Sequence, residues 1–309
     1  MTWPVPSDGV ASVVTIGKFD GVHRGHREVI SQLRERAAGR RVVVVTFDRH
    51  PLSVVDPERS PKQLLSIAQK REALLGAGAD LVVVVPFTEE FRNLEPADFV
   101  EEILVKGLAA ELVVVGEDFR YGRGGAGDVT SLRAAGELDG FSVETLGDVC
   151  VNDTNERIST SAVRDALSTG DVETAAQLLG RPHHVRGEVV HGHQRGRELG
   201  FPTANLAEDS EGFIPRAGVY AGTLEVGGKR YVAGISVGKN PTFTDVERDQ
   251  VEAHALDADF DAYGQVAEIA FTHRLRDSLK FNSMEELTAA MAQDIADIRA
   301  LVAAGALSL

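Results

Sequence analysis

The sequence predicts a doubly wound α/β unit on a parallel sheet, followed by a small antiparallel β-barrel that ends in one helix. Three observations carry this. In the first half, short β-branched runs alternate with helical stretches, and residues 42–45 and 81–85 are almost all valine, as in strands covered on both faces. After Gly170 the strand candidates have no long helices between them, and glycine turns such as Gly227-Gly228 join them, the spacing of an antiparallel sheet or barrel. Residues 283–304 then set Met284, Leu287, Met291, Ile295, Ile298 and Val302 on one helical face, the pattern of an amphipathic helix packed on a core.

The strands of the first unit are expected at 10–16, 41–47, 80–86, 111–115 and 141–146. Sheets of this class bind ligands beyond the carboxyl ends of their strands, and the first strand runs into TIGKFDGVHRGH, residues 15–26. Gly17, Gly21 and Gly25 remove side chains where a ligand approaches the backbone. The helix expected over 26–38 opens with free N–H groups and a positive dipole end that favour phosphate. His23 and His26 stand there three residues apart on one face, so two imidazoles and a ring of amides can converge on oxygens whose charge grows in a transition state. The alternatives are a plain turn with two half-exposed histidines, or a metal pair, for which no third ligand follows nearby.

The second and fourth strands also end in polar groups. TFDRHP carries Asp48 and His50, and GEDFRYGRGGAGD carries Asp118 and Arg120. Gly122, Gly124 and Gly127 spell G-x-G-x-x-G, but DFRY separates them from the strand where a dinucleotide fingerprint needs a tight turn. RISTSAVR, residues 157–164, starts a helix with Ser159, Thr160 and Ser161, good N-cap residues. Their hydroxyls and amides, with Arg164 one turn on, also suit a triphosphate. A short helix over 171–180 closes this unit, which gives the division 1–182 and 183–309. In the second unit, strands are expected at 184–190, 219–226, 230–237, 250–256 and 266–272. Ser283 and Glu286 form a capping box for the final helix, whose methionines are read as core.

With 43% hydrophobic and 26% charged residues, the composition is that of a globular protein able to bury real cores. The net charge of −15 opposes non-specific nucleic-acid binding and anionic membrane surfaces. No run approaches the roughly 18 apolar residues of a membrane span, and MTWPVPSDGV lacks the form of a signal peptide, so the cytoplasm is the expected compartment. The single cysteine, Cys150, cannot form an internal disulfide and is read as a small buried residue.

GKFDGVHRGH closely resembles the F-D-G-x-H-x-G-H element of FMN adenylyltransferases, within the Rossmann-like nucleotidyltransferase superfamily. RISTSAVR resembles that superfamily's I-S-S-T-x-x-R element, with Thr160 and Ser161 in exchanged order and Ala162 where Arg is frequent. The resemblance implies that Gly17, Phe19, Asp20, Gly21, His23, Gly25 and His26 hold ATP, with Ser159, Thr160, Ser161 and Arg164 on its β- and γ-phosphates. Another phosphate then attacks the α-phosphorus and pyrophosphate leaves without a covalent enzyme intermediate. It also places Asp48, His50, Asp118 and Arg120 near the flavin, although Arg49 replaces a common proline.

The second half lacks a Walker A sequence. GHQRGRELGFPTANL, residues 192–206, together with GVYAG, SVGKNPTF, VEAHALDADFDAYG and LRDSLKFNSMEEL, is similar to riboflavin kinases. That likeness assigns Gly196, Gly200, Pro202, Thr203 and Asn205 to ATP, Asn240 and Arg276 to flavin, and Glu252 to the proton of the ribityl 5′-hydroxyl. Thr203 and Asn205 offer hard oxygen ligands on a loop stiffened by Pro202, suiting one magnesium bridged to ATP phosphates. Ala258, Ala262 and Ser278 depart from the family's usual residues, at positions expected to be packing or rim. Together the resemblances imply a bifunctional flavin enzyme that uses Mg2+ and ATP, makes FMN and FAD, and binds neither nucleic acid nor membrane. Self-association stays open, as do one decayed activity or a non-catalytic flavin-binding regulator.

Overall fold

The computed structural model describes residue 3 and residues 5–147, 150–151, 156–191, 202–238, 249–258 and 260–309. The chain gathers into two compact units, one up to Ser159 and one from Thr160 onward. Residues 160–182, expected to close the first unit, thus group with the second.

Five parallel strands make the sheet of the first unit: β1 (Ser12–Ile16), β2 (Arg41–Phe47), β3 (Leu81–Val85), β4 (Ala110–Gly116) and β5 (Ser142–Leu146). Their order is β3-β2-β1-β4-β5, with Val13 beside Val42 and Val14 beside both Val43 and Val113. The valine runs follow from burial. Val14, Val43, Val45 and Val113 belong to the core on one face, and Val13, Val42 and Val114 to the core on the other, so every position along a central strand must be apolar. Val10 is 47% exposed, and β1 accordingly starts at Ser12 instead of residue 10. Helices α1 (Arg24–Arg36), α2 (Ile67–Gly76) and α3 (Val129–Asp139) complete the alternation. Strand order reverses between β1 and β4, and the crevice at such a switch point, beyond the carboxyl ends, is where ligands of this architecture bind.

The second unit opens with α4 (Thr160–Thr169) and α5 (Val172–Leu179). Val163, Leu167, Val172 and Ala175 are fully buried, and the Glu173 carboxylate accepts from the Arg274 backbone N–H at 2.9 Å. Six antiparallel strands then close a barrel: β6 (His183–Val190), β7 (Ala204–Leu206), β8 (Gly218–Val226), β9 (Lys229–Gly238), β10 (Gln250–Ala255) and β11 (Val266–Arg276), in the order β6-β7-β10-β9-β8-β11. Closure requires Gly222, because a Cβ there would overlap the Ala270 carbonyl. The three-residue β7 was not among the expected strands.

The final helix, α6 (Met284–Ala303), is N-capped by Ser283, whose hydroxyl accepts from the Glu286 N–H at 3.2 Å. Glu286 reaches back to the Asn282 N–H, one residue beyond a strict capping box. Of the apolar face, Ile298 alone is fully buried, while Met284 and Val302 are 50% and 41% exposed. No helix among the described residues is long and apolar enough to cross a membrane. The Cys150 side chain lies outside the described residues.

Candidate active sites

In the first unit the site grows out of the end of β1. Gly17 N–H continues the ladder to the Val45 carbonyl at 3.0 Å, and a Cβ on Gly17 would press on the Phe19 ring. Its bare face therefore receives Phe19 in this structure. The turn is tight: Phe19, Gly21 and Val22 all have left-handed φ, at +46°, +82° and +45°. For a β-branched residue such as Val22 this conformation is strained, and such strain collects where a turn is held by its surroundings for a purpose. Asp20 supplies part of that hold. Its buried carboxylate accepts from the Leu64 and Leu65 N–H groups at 2.9 and 3.4 Å.

His23 is the N-cap of α1, and its Nδ1 accepts from the His26 N–H at 3.3 Å. An accepting Nδ1 places the proton of the neutral ring on Nε2, which makes His23 a donor on its far side. The His26 ring stacks on His23 at 3.6 Å and meets Phe19 at 4.9 Å. Burial first, then the charges of His23, Lys70 and Lys18, push the His26 pKa well below its usual value. The neutral form of His26 is thus favoured, and among the described residues its buried Nδ1 has no hydrogen-bond partner. Two imidazoles at a helix N-terminus can donate to phosphate oxygens.

Lys70, which sequence reasoning missed, lies 4% exposed on α2 and donates to the Phe47 carbonyl at 3.0 Å. Desolvation lowers its pKa, against the pull of Asp20 and Asp48. Asp48 braces the strand ends: one oxygen accepts from the Phe87 N–H at 2.8 Å and the other pairs with Arg49. His50 Nδ1 accepts from the Leu52 N–H. Asp118 and Arg120 are exposed, and Arg120 stands 3.4 Å from Asp128. The G-x-G-x-x-G glycines shape a ribbon turn, with Gly122 against Pro96 and Gly127 under the Tyr121 ring. Beyond the strand ends lies an aromatic cavity of about 380 Å³, lined by Phe47, Phe87, Phe91, Phe99, Phe119 and Tyr121. These rings are scattered along the sequence, and no motif announced them.

Ser159 ends the first unit; in the second, Thr160 is the first residue of α4, and Ser161 and Arg164 lie on its first turns. In the barrel, β7 and β10 pair Asn205 with Glu252 directly across the ladder. Two cavities meet here. One of about 360 Å³ is lined by Pro202, Thr203, Asn205, Asp261 and Tyr263, and one of about 280 Å³ by Thr203, Glu252, His254, Arg276 and Met291. Thr203 borders both. Leu287, Met291 and Ile295 line the smaller cavity, so the helix face read as closed core is in part a cavity wall. Ala258 and Ala262 line the larger cavity and Ser278 the smaller, so these departures touch the cavities themselves. Arg276 is held by both oxygens of Asp294, at 2.8 and 2.7 Å. Gly196, Gly200 and Asn240 lie outside the described residues.

Thr203 Oγ and the Asn205 side chain, whose nitrogen stands 3.4 Å from that hydroxyl, give a donor set that fits magnesium. Both are hard ligands in a polar cavity, with room for the waters and phosphates that this ion retains. An amide's oxygen and nitrogen exchange places by a half-turn, so Asn205 can present oxygen beside Thr203.

A histidine pair on a strained strand-to-helix turn, and a barrel whose polar and apolar cavities share one threonine, define a two-site nucleotide-dependent transferase. A family model described as FAD synthetase matches residues 6–162, and one described as riboflavin kinase matches residues 179–302. The chain is 39% identical over 306 residues to the bifunctional riboflavin kinase/FMN adenylyltransferase of Listeria monocytogenes, covering 97% of this chain and 96% of that protein, and 37% identical over 292 residues to that of Escherichia coli K12, covering 94% and 91%. It belongs to the bifunctional riboflavin kinase/FMN adenylyltransferase family. A crystal structure described as a macrolide-efflux protein from Streptococcus pneumoniae matches with a TM-score of 0.84 and 30% identity, over 96% of this chain and 95% of that one.

Proposed function

We propose that the barrel unit transfers the γ-phosphoryl group of ATP to the 5′-hydroxyl of riboflavin, giving FMN and ADP. The first unit then joins the AMP of a second ATP to FMN, giving FAD and pyrophosphate. The observation that carries this reading is Thr203, the residue common to a polar cavity and a largely apolar one, with Glu252 on the apolar side. A nucleotide in the first and a flavin in the second would meet at that residue.

Glu252 takes the proton of the ribityl hydroxyl as its oxygen bonds to the γ-phosphorus and the bond to ADP breaks. Thr203 and Asn205 would hold magnesium, which neutralises phosphate charge when bound. Arg276, fixed by Asp294, and the apolar wall of α6 orient the flavin. In the first unit, a phosphate oxygen of FMN attacks the α-phosphorus while His23 and His26 donate to the oxygens that gain charge. Ser159 is assigned to the phosphates of ATP, and the aromatic cavity with Arg120 to the flavin ring. The cytoplasm, where ATP is at hand, is the compartment that fits. The test is incubation with riboflavin, ATP and magnesium followed by separation of the flavins. FMN should form and then give way to FAD; no FMN from riboflavin, or no FAD from supplied FMN, would refute the corresponding half.

A further inference from the structure

We infer that His254 is a positioning residue of the kinase site, fastening the loop that carries the magnesium ligands. The inference rests on the kinase reading above. The ladder between β7 and β10 pairs Asn205 with Glu252 and Ala204 with Ala253, and ends there. In that register the next opposed residues are Thr203 and His254, but Pro202 has no N–H with which to prolong the ladder. The His254 ring takes over, its Nδ1 standing 2.8 Å from the Pro202 carbonyl. A carbonyl only accepts, so Nδ1 carries the proton and donates.

The bond fixes the chain one residue before Thr203. Glu252 and His254, two apart on one strand, share a face and line the same cavity. One strand of the barrel therefore supplies both the proton acceptor and the clasp of the metal loop. Without the clasp, the metal itself must order Thr203, and the loss falls on magnesium affinity, for which supporting partners typically account for about 10- to 100-fold.

The test uses the full chain with His254→Phe, which keeps a ring but loses the donor, and His254→Asn, whose amide nitrogen takes the Nδ1 position. Riboflavin phosphorylation is measured against magnesium concentration, FMN adenylylation serves as an internal control, and hydrogen exchange is followed at residues 203–206. His254→Phe should raise the half-saturating magnesium about 10- to 100-fold, keep kcat at saturating magnesium within about threefold, and speed exchange at 203–206. His254→Asn should restore most of both, with adenylylation unchanged throughout. Parent-like magnesium dependence in His254→Phe, a fall in kcat alone, or no rescue by Asn would overturn the assignment. Should His254→Phe also lose adenylylation, His254→Gln, whose nitrogen falls at the Nε2 position, takes its place with the same expectations. A parent that does not phosphorylate riboflavin would refute the kinase reading instead, and the exchange data would still decide whether His254 clasps the loop.

Discussion

The two units place a histidine beside phosphate chemistry in opposite protonation patterns. In the first unit His23 Nδ1 accepts from a backbone N–H, which puts the proton on the far nitrogen. In the barrel His254 Nδ1 donates to a carbonyl, and the ring is turned inward to its own chain. The same side chain is thus, on the reading we propose, a donor to ligand in one site and a fastener of backbone in the other. What decides between them is the backbone group each meets, an orphan helix amide or a carbonyl left over where a strand ladder stops.

The widest separation between the units should come from Glu252→Gln, which keeps volume and hydrogen bonding but removes the proton acceptor. Riboflavin phosphorylation should fall by about two to four decades, with FMN adenylylation untouched; equal turnover in parent and variant would remove Glu252 as the base. His26→Ala is the mirror experiment. FAD formation from FMN should drop by about 3 to 4 kcal/mol in barrier terms, two to three decades, while riboflavin phosphorylation continues. A loss in both activities would show that the sites are not separable in this way.

A smaller effect tests the boundary between the units, which we propose lies before α4. Fragment 160–309 should be more stable to urea than 183–309 by at least about 3 kcal/mol, since α4 and α5 bury several apolar side chains and each contributes about 1.5 to 3 kcal/mol. Equal stability would return the boundary to residue 183. The smallest effect concerns acid. His183 is buried, with Nε2 2.6 Å from the Phe213 carbonyl, and desolvation lowers its pKa to about 3. The unfolded chain takes up this proton more readily, so the stabilisation is complete above the unfolded value near 6.5 and drains as pH falls toward 3. At pH 5 about 2 kcal/mol should be lost. Denaturation at pH 7.5 and 5 would reveal it, and His183→Gln, which keeps a donor without titrating, should flatten the difference; an unchanged slope in that variant would assign the acid sensitivity elsewhere.

The parts legible in the sequence are those in which neighbours in sequence are neighbours in space. Residues 15–26 carry strand end, turn, cap and histidines in one run, and the valines of β2 and β3 announce a sheet covered on both faces. The aromatic cavity could not be read this way, because Phe47, Phe91 and Tyr121 meet only when three strand ends are brought together. Lys70 looks like any lysine on a helix until α2 lays it beneath Phe47. The α6 face has the period of a core helix, and periodicity does not distinguish an apolar side chain against a filled interior from one against a cavity. Asp48 accepts from the distant Phe87 N–H and pairs with the Arg49 guanidinium, and His50 Nδ1 accepts from the Leu52 N–H, contacts that the motif does not announce.

Thr203 is a wall common to two cavities, and on the reading we propose the occupants of the barrel are thermodynamically linked through it. If magnesium nucleotide settles the loop and thereby tightens the grip on flavin by some factor, flavin must tighten the grip on nucleotide by that same factor, because the free energy around the binding cycle sums to zero. Affinities of this barrel for either ligand are consequently properties of a pair, and a constant measured with the other cavity empty describes a different equilibrium from the one in which phosphate is transferred.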